Sequence, residues 1–317
     1  MSPNGSSESE VPVLAGAPAQ GAEPGPRGLW AVFETMRPHQ WLKNVLVLAP
    51  AAAAHRLAEP ILIGQLLRVF VAWCCCASAI YVLNDVIDAP ADRRHPHKRY
   101  RPIASGRLSV ARAIVLAAIL AGIGVALASK ISASVLLSLL AYMVLMSSYA
   151  LALRALVLID VFVLAGGYAL RVFSGGLAVH IPPSPWLIAF CIFVFLSLAL
   201  LKRYTELGLL RHTEGSAAHA RAYVLADRPL VLALGVACAV VSVLVLALYL
   251  TAADVGLRHA HPELVWVTGV LLLYWLSFLW LVAQREHMTD DPLVFALKSR
   301  ASVLLIVLMG VSAWLAA

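Results

Sequence analysis

Residues 61–92 read ILIGQLLRVFVAWCCCASAIYVLNDVIDAPAD. From Ile61 to Leu83 only Gln65 and Arg68 carry amide or charged side chains. That length suffices to cross a bilayer, which takes about 20 predominantly apolar residues. The run then ends in Asn84, Asp85, Asp88 and Asp92. Asn84, Asp88 and Asp92 are spaced i, i+4, i+8, so on a helix they share one face, with Asp85 at its edge. An ionisable group inside a span costs roughly 2.5–3.5 kcal/mol at the bilayer centre and less near an interface. Several acids together therefore need compensating positive charge. A row of hard oxygen ligands suits Mg²⁺, which takes one or two carboxylates plus substrate phosphates. The competing reading is an ordinary acidic helix end paired with nearby arginines. Pro90 predicts a kink that turns Asp92 off the face of Asp88.

The residues that follow strengthen the phosphate reading. His95-Pro96-His97-Lys98-Arg99-Tyr100-Arg101 comes directly after the acids. Arg presents a bidentate fork to phosphate and Lys a point charge. Acids followed at once by such cations make a site for a metal-chelated anion, with Lys98 and Arg101 as the phosphate contacts. By itself the loop reads as a solvated basic loop. A second polar cluster, Lys202-Arg203-Tyr204-Thr205-Glu206, ends another apolar run. Lys202 and Glu206 are spaced for an intrahelical ion pair, or else face the acidic helix as site residues. Arg171 lies within an apolar run among Gly166, Gly167, Gly175 and Gly176. Intramembrane arginine marks function by default, and the glycines admit close helix approach. Asp160 is too far along the same helix to reach Arg171, so each meets a partner on another element.

The whole chain has the same character. It has 317 residues, 62% hydrophobic and 13% charged, with mean hydropathy +0.86. Soluble domains run near 25% charged, so a soluble enzyme, a disordered protein and a disulfide scaffold are excluded. The five cysteines all sit in apolar runs, where they act as small buried hydrophobes. Nine apolar segments are expected, at 41–58, 61–88, 110–129, 132–153, 156–178, 185–205, 229–252, 263–284 and 298–316. Residues 1–29 read as a disordered cytoplasmic tail and 30–317 as the membrane domain. The net charge of +7 concentrates in the loops after segments two, four, six and eight. The positive-inside rule puts those loops and the N-terminus in the cytoplasm. The excess charge thus points to loop orientation and not to nucleic acid.

These strings resemble the UbiA superfamily of intramembrane prenyltransferases over about residues 35–316. The Asn-x-x-x-Asp-x-x-x-Asp motif of that superfamily matches Asn84, Asp88 and Asp92. More narrowly, Arg37-Pro38-His39-Gln40-Trp41-Leu42-Lys43-Asn44, Arg101-Pro102-Ile103-Ala104 and Lys202-Arg203-Tyr204-x-Glu206 are similar to the decaprenyl-phosphate phosphoribosyltransferase branch. The resemblance implies an all-α integral membrane bundle of about nine transmembrane helices in the inner cell membrane, its active site facing the cytoplasm. It implies Mg²⁺-dependent transfer of 5-phosphoribosyl from phosphoribosyl diphosphate to a polyprenyl phosphate, for lipid-linked pentose and arabinan precursors of the cell wall. It allows association with further copies of the chain.

In that scheme Asp88, Asp92, Lys202 and Glu206 are catalytic, and Asn84, Asp85, Asp88 and Asp92 hold metal. Lys43, Asn44, Lys98, Arg101, Tyr149, Arg154, Arg171, Arg203 and Tyr204 meet substrate. The superfamily's second motif is Asp-x-x-x-Asp, and here Lys202 and Glu206 stand in its places. A cation there favours direct contact with phosphate. It counts against the alternative, transfer of a prenyl group from its diphosphate to an aromatic acceptor. A transporter is the remaining reading, but transporter sites favour broken helices at the midplane, and here the polar residues gather at span ends.

Overall fold

A computed structural model describes residues 28–54, 56–57, 59–95, 98–181, 183–210, 223–251, 261–288 and 291–316. The tail expected over 1–29 falls outside these apart from its last two residues, as do Arg211 and Arg221. The elements are α1 (Leu29–Met36), a 3₁₀ stretch (Pro38–Leu48), α2 (Ala49–Ala53), α3 (Pro60–Asp92), α4 (Val110–Ser129), α5 (Ala133–Leu151), α6 (Ile159–Ala178), α7 (Pro185–Leu210), α8 (Arg228–Thr251), α9 (Pro262–Gln284), α10 (Pro292–Lys298) and α11 (Arg300–Ala316). Seven of them, α3 to α9, are long and apolar enough to cross a membrane. Together with the shorter apolar α11, they make the chain a multi-pass, all-helical membrane protein.

Segment one departs from expectation. The described residues of 41–58 form no long α-helix; they hold most of the 3₁₀ stretch and the single turn of α2. Pro38 and Pro50 remove backbone donors, and Lys43 and Asn44 need polar partners. Irregular backbone survives at membrane depth only where protein covers it. Here the stretch is wedged between α3 and α6, with Asn44 and Val47 fully buried. Gly175 on α6 makes this possible, because a Cβ there would collide with the Val47 carbonyl.

Burial separates core from rim. In α3, 61% of the spanning window is buried, against 22% in α4 and in α8. On α4, Ile114, Val115, Ile119 and Ile123 face outward, as a lipid-facing helix requires. α3 packs along α4, α7 along α8, and α9 along α11, while α6 contacts both α5 and α7. One core joins α7, α8 and α9 around Leu201, Leu276 and Leu279. A second joins α3, α5 and the 3₁₀ stretch around Trp73, Leu139 and Val47. With 33 residues, α3 is about 50 Å long, more than the roughly 30 Å of hydrocarbon. Its acid end therefore reaches past the apolar layer.

Candidate active site

The last turns of α3 carry the acids, and each acid is met by an arginine from a different element. Arg37 Nη2 lies 2.5 Å from Asp85 Oδ1. Arg101 Nη1 lies 2.7 Å from Asp92 Oδ2 and 3.3 Å from Asp85 Oδ1. Arg154 Nη1 lies 2.8 Å from Asp88 Oδ1. Asp85 and Asp92 are buried, while the Asp88 side chain is 30% exposed. Asn84 is half-buried on the same face.

Despite Pro90, Asp92 shares a partner with Asp85, whereas Asp88 turns to Arg154. The helix runs through to Asp92, and Asp85 and Asp92, two turns apart, touch one Arg101 nitrogen. Pro90 is exposed, and the helix continues past it although its missing N–H removes the bond to the Val86 carbonyl.

Arg37 caps α1 in the left-handed region, at φ 53°. That conformation costs a non-glycine residue roughly 1–2 kcal/mol. It turns the chain into Pro38 and aims the guanidinium at Asp85, over the Tyr81 ring at 5.6 Å. The loop after α3 is pinned as a cap. Arg107 bridges Glu34 of α1 at 2.7 Å and donates to the Tyr100 carbonyl at 2.6 Å, and Ile103 and Leu108 are buried beneath. Lys98 stays exposed at the loop's edge.

A basic pair gathers at a separate carboxylate, that of Asp291. Lys43 Nζ lies 3.0 Å and Lys202 Nζ 3.1 Å from the same Asp291 Oδ2. The other Asp291 oxygen accepts the Leu293 N–H and caps α10. Burial disfavours the Asp291 carboxylate, but Lys43 and then Lys202 outweigh it and hold the group well below the ordinary carboxylate range. Lys202 thus bonds Asp291, and the Lys202–Glu206 pair offered by their spacing does not form. Arg203 takes Glu206 instead.

Several residues expected to meet substrate are committed to the interior. Arg203 Nε lies 2.5 Å from Asp160 Oδ2, and both side chains are wholly buried. Arg203 also donates to Tyr149 at 2.9 Å, and Tyr223 donates to Asp160 at 2.7 Å. Arg171 donates to Asn44 Oδ1 at 2.8 Å, to the Gly167 carbonyl at 2.5 Å and to Tyr142 at 3.1 Å. Arg171 and Asp160 therefore each find a partner on another element. Tyr204 turns to the far side of α7, where its hydroxyl bonds Gln284 and Arg228 lies 4.2 Å from its ring centroid. There it lines a separate open cleft of about 280 Å³.

The structure thus brings Asp85, Asp88, Asp92, Arg101 and Arg154 together, and Lys43 with Lys202. It leaves Asn44, Tyr149, Arg171, Arg203 and Tyr204 as buried supports. Sequence reading passed over Asp291. The signal was an acid directly before Pro292, the pattern of a helix N-cap with proline at the first helical position.

Among the described residues no three His, Cys, Asp or Glu side chains converge closely enough to hold an ion by themselves. The donor set nonetheless fits Mg²⁺ shared with a substrate. Asp85 and Asp92 bring hard oxygens to one guanidinium nitrogen, and Mg²⁺ needs only one or two carboxylates when phosphates complete its shell.

The chain is similar to several known proteins. The nodulation protein NoeC of Azorhizobium caulinodans is 33% identical over 273 residues, 86% of this chain and 89% of that one. Protein y4nM of Sinorhizobium fredii is 32% identical over 269 residues, and the chain spans only about half of its length. Decaprenyl-phosphate phosphoribosyltransferase of Mycolicibacterium smegmatis is 36% identical over 186 residues, 57% of this chain and 58% of that one. In fold, a UbiA homologue from Archaeoglobus fulgidus bound to GPP and Mg²⁺ superposes with a TM-score of 0.66 at 15% identity, over 90% of this chain and 99% of that one. Residues 45–316 match the model of one family, an interval that contains every acid of α3, Lys202 and Asp291 but not Lys43. By that match the chain is a member of the UbiA prenyltransferase family.

Proposed function

We propose that the chain transfers 5-phosphoribosyl from phosphoribosyl diphosphate to a polyprenyl phosphate of decaprenyl type, at the cytoplasmic face of the cell membrane. The observation that carries this reading is the convergence of Lys43 and Lys202 on one Asp291 oxygen, together with the separate acid cluster at the end of α3. The site has an acidic half suited to a metal-chelated diphosphate and a basic half suited to a second phosphate. Relatives named decaprenyl-phosphate phosphoribosyltransferase support the phosphoribosyl group and the polyprenyl phosphate acceptor chosen.

Asp88, with Asn84, Asp85 or Asp92, would hold Mg²⁺, which when bound neutralises the diphosphate oxygens. Arg101, beside the acids, and Lys98, on the same loop, would add charge to the same group. The ribose C1–O bond to diphosphate breaks, and its electron pair leaves with the diphosphate. C1 passes through an oxocarbenium-like state, as in other glycosyl cleavages. An oxygen of the lipid phosphate bonds C1 from the basic half. That oxygen is already anionic near neutral pH, so no general base is required. The product is a lipid-linked phosphoribose, a precursor for pentose polymers of the cell wall.

The test is a transfer assay with purified protein, Mg²⁺, a polyprenyl phosphate and phosphoribosyl diphosphate labelled in the ribose. Label should enter the lipid phase and stop doing so with EDTA. No transfer by folded protein across several lipid lengths would move the assignment to a prenyl diphosphate donor and an aromatic acceptor.

A further inference from the structure

Lys43 and Lys202 come from distant parts of the chain and meet at one carboxylate oxygen. Asp291 Oδ1 is occupied as the cap of α10 through the Leu293 N–H at 3.2 Å. Oδ2 receives both ammonium groups. Two cations around one anion leave a surplus positive charge. The Lys43 side chain is 10% exposed and that of Asp291 14%, whereas Lys202 is 31% exposed. The cluster therefore opens on the Lys202 side. Tyr168 forms one wall, its ring centroid 5.9 Å from Lys43 Nζ. Tyr81 lies within electrostatic reach of Lys43 and sits one turn before Asp85, so the cluster adjoins the acid face without joining it.

We propose that Lys43 and Lys202 form a two-cation seat for the phosphate monoester of a membrane lipid, and that Asp291 is its internal stand-in, filling the seat until the lipid head displaces it. A phosphate dianion matches two lysines better than one carboxylate does, which drives the exchange. A neutral head such as an alcohol or an aromatic ring gains nothing by displacing a carboxylate. The seat thus selects the acceptor class at the cost of a resident competitor. The lipid's identity rests on the function proposed above; the seat's preference for a phosphate monoester does not.

Asp291→Asn separates these roles. Asn caps a helix about as well as Asp and has the same shape, but it does not compete for the lysines. Binding of farnesyl phosphate to the full chain in detergent should tighten roughly tenfold, as removal of an occupied state raises apparent affinity. Farnesol binding should not change. In turnover the KM for polyprenyl phosphate should fall while that for phosphoribosyl diphosphate stays constant. Lys202→Gln, at the more exposed lysine and with Asp291 intact, should weaken farnesyl phosphate binding and leave farnesol untouched. This variant also stands in if Asp291→Asn fails to fold.

Unchanged or weaker farnesyl phosphate binding in folded Asp291→Asn would overturn the stand-in. Unchanged binding in Lys202→Gln would overturn the seat. A normal binding response with no phosphoribosyl transfer would instead sink the reaction assigned above and leave the seat standing.

Discussion

At the acid end of α3, Arg37, Arg101 and Arg154 meet their carboxylates with guanidinium side chains 25–33% exposed, whereas Arg203 and Asp160 meet between α6 and α7 with neither side chain reaching solvent. The same chemical pair thus serves two ends. Where both side chains are about a third exposed, as in Asp88–Arg154, a pair is screened and contributes about 0–1 kcal/mol, so its partners can be exchanged for a metal or a phosphate at little cost. In the interior, desolvation is severe, and a charge left without its partner costs several kcal/mol. On the function proposed above, exchangeable pairs are where substrate binds. Locked pairs hold the helices that present them.

Breaking the locked pair should have the largest effect. Arg203→Met leaves Asp160 buried without a counter-charge and should destabilise the protein by about 3–5 kcal/mol, seen as a lower melting temperature in detergent. Adding Asp160→Asn should recover part of that loss. If Arg203→Met melts like wild type, the distinction between the two sets collapses.

Asp88→Ala tests the exchangeable set from the other side. Phosphoribosyl transfer should fall by about 10²–10³, the scale on which removal of one electrostatic contact at a reacting centre acts. The melting temperature should stay close to wild type, because the Asp88–Arg154 pair is a third exposed on both sides. Full activity in that variant would remove Asp88 from the metal site.

The smallest effect is one of pH and concerns Asp291, which lies between the two extremes. A carboxyl held below its ordinary range stabilises the fold above the unfolded value, about 3.9, and loses that contribution as pH falls through the folded value. The difference in melting temperature between wild type and Asp291→Asn should therefore be flat from about pH 5 to 8 and shrink at strongly acid pH. A difference that varies across the neutral range would mean that Asp291 is not fully ionised there.

Much of this was legible in sequence because it is local. The apolar run of α3 and the four-residue spacing of its acids fall on one helix, so period alone orders Asn84, Asp88 and Asp92. Long-range pairing was not. Lys43 and Asp291 are separated by 248 positions and Arg171 and Asn44 by 127, and no pattern in one chain links such residues. The first segment looked like a span because hydropathy does not register that Asn44 is satisfied by Arg171 and can stay in an irregular stretch. Pro90 predicts a kink because proline removes a backbone bond, but the rest of the helix carries the chain through to Asp92. Arg203 and Tyr204 looked like site residues by adjacency to Lys202, but successive positions on a helix point in different directions.

The bridge between Lys43 and Asp291 also sets an order on biogenesis. A ribosome adds about 5–20 residues each second, and the N-terminal part of a chain begins to organise first. Lys43 is therefore made early and must remain without its carboxylate until nearly the whole bundle has been synthesised. Contacts of such long separation close last and slowly. The acid face of α3 and the loop that caps it can assemble while the chain is still growing, but the basic half is finished only when α10 docks. Immature chains accordingly present an acid face without a lysine seat, and both halves meet only in the completed fold.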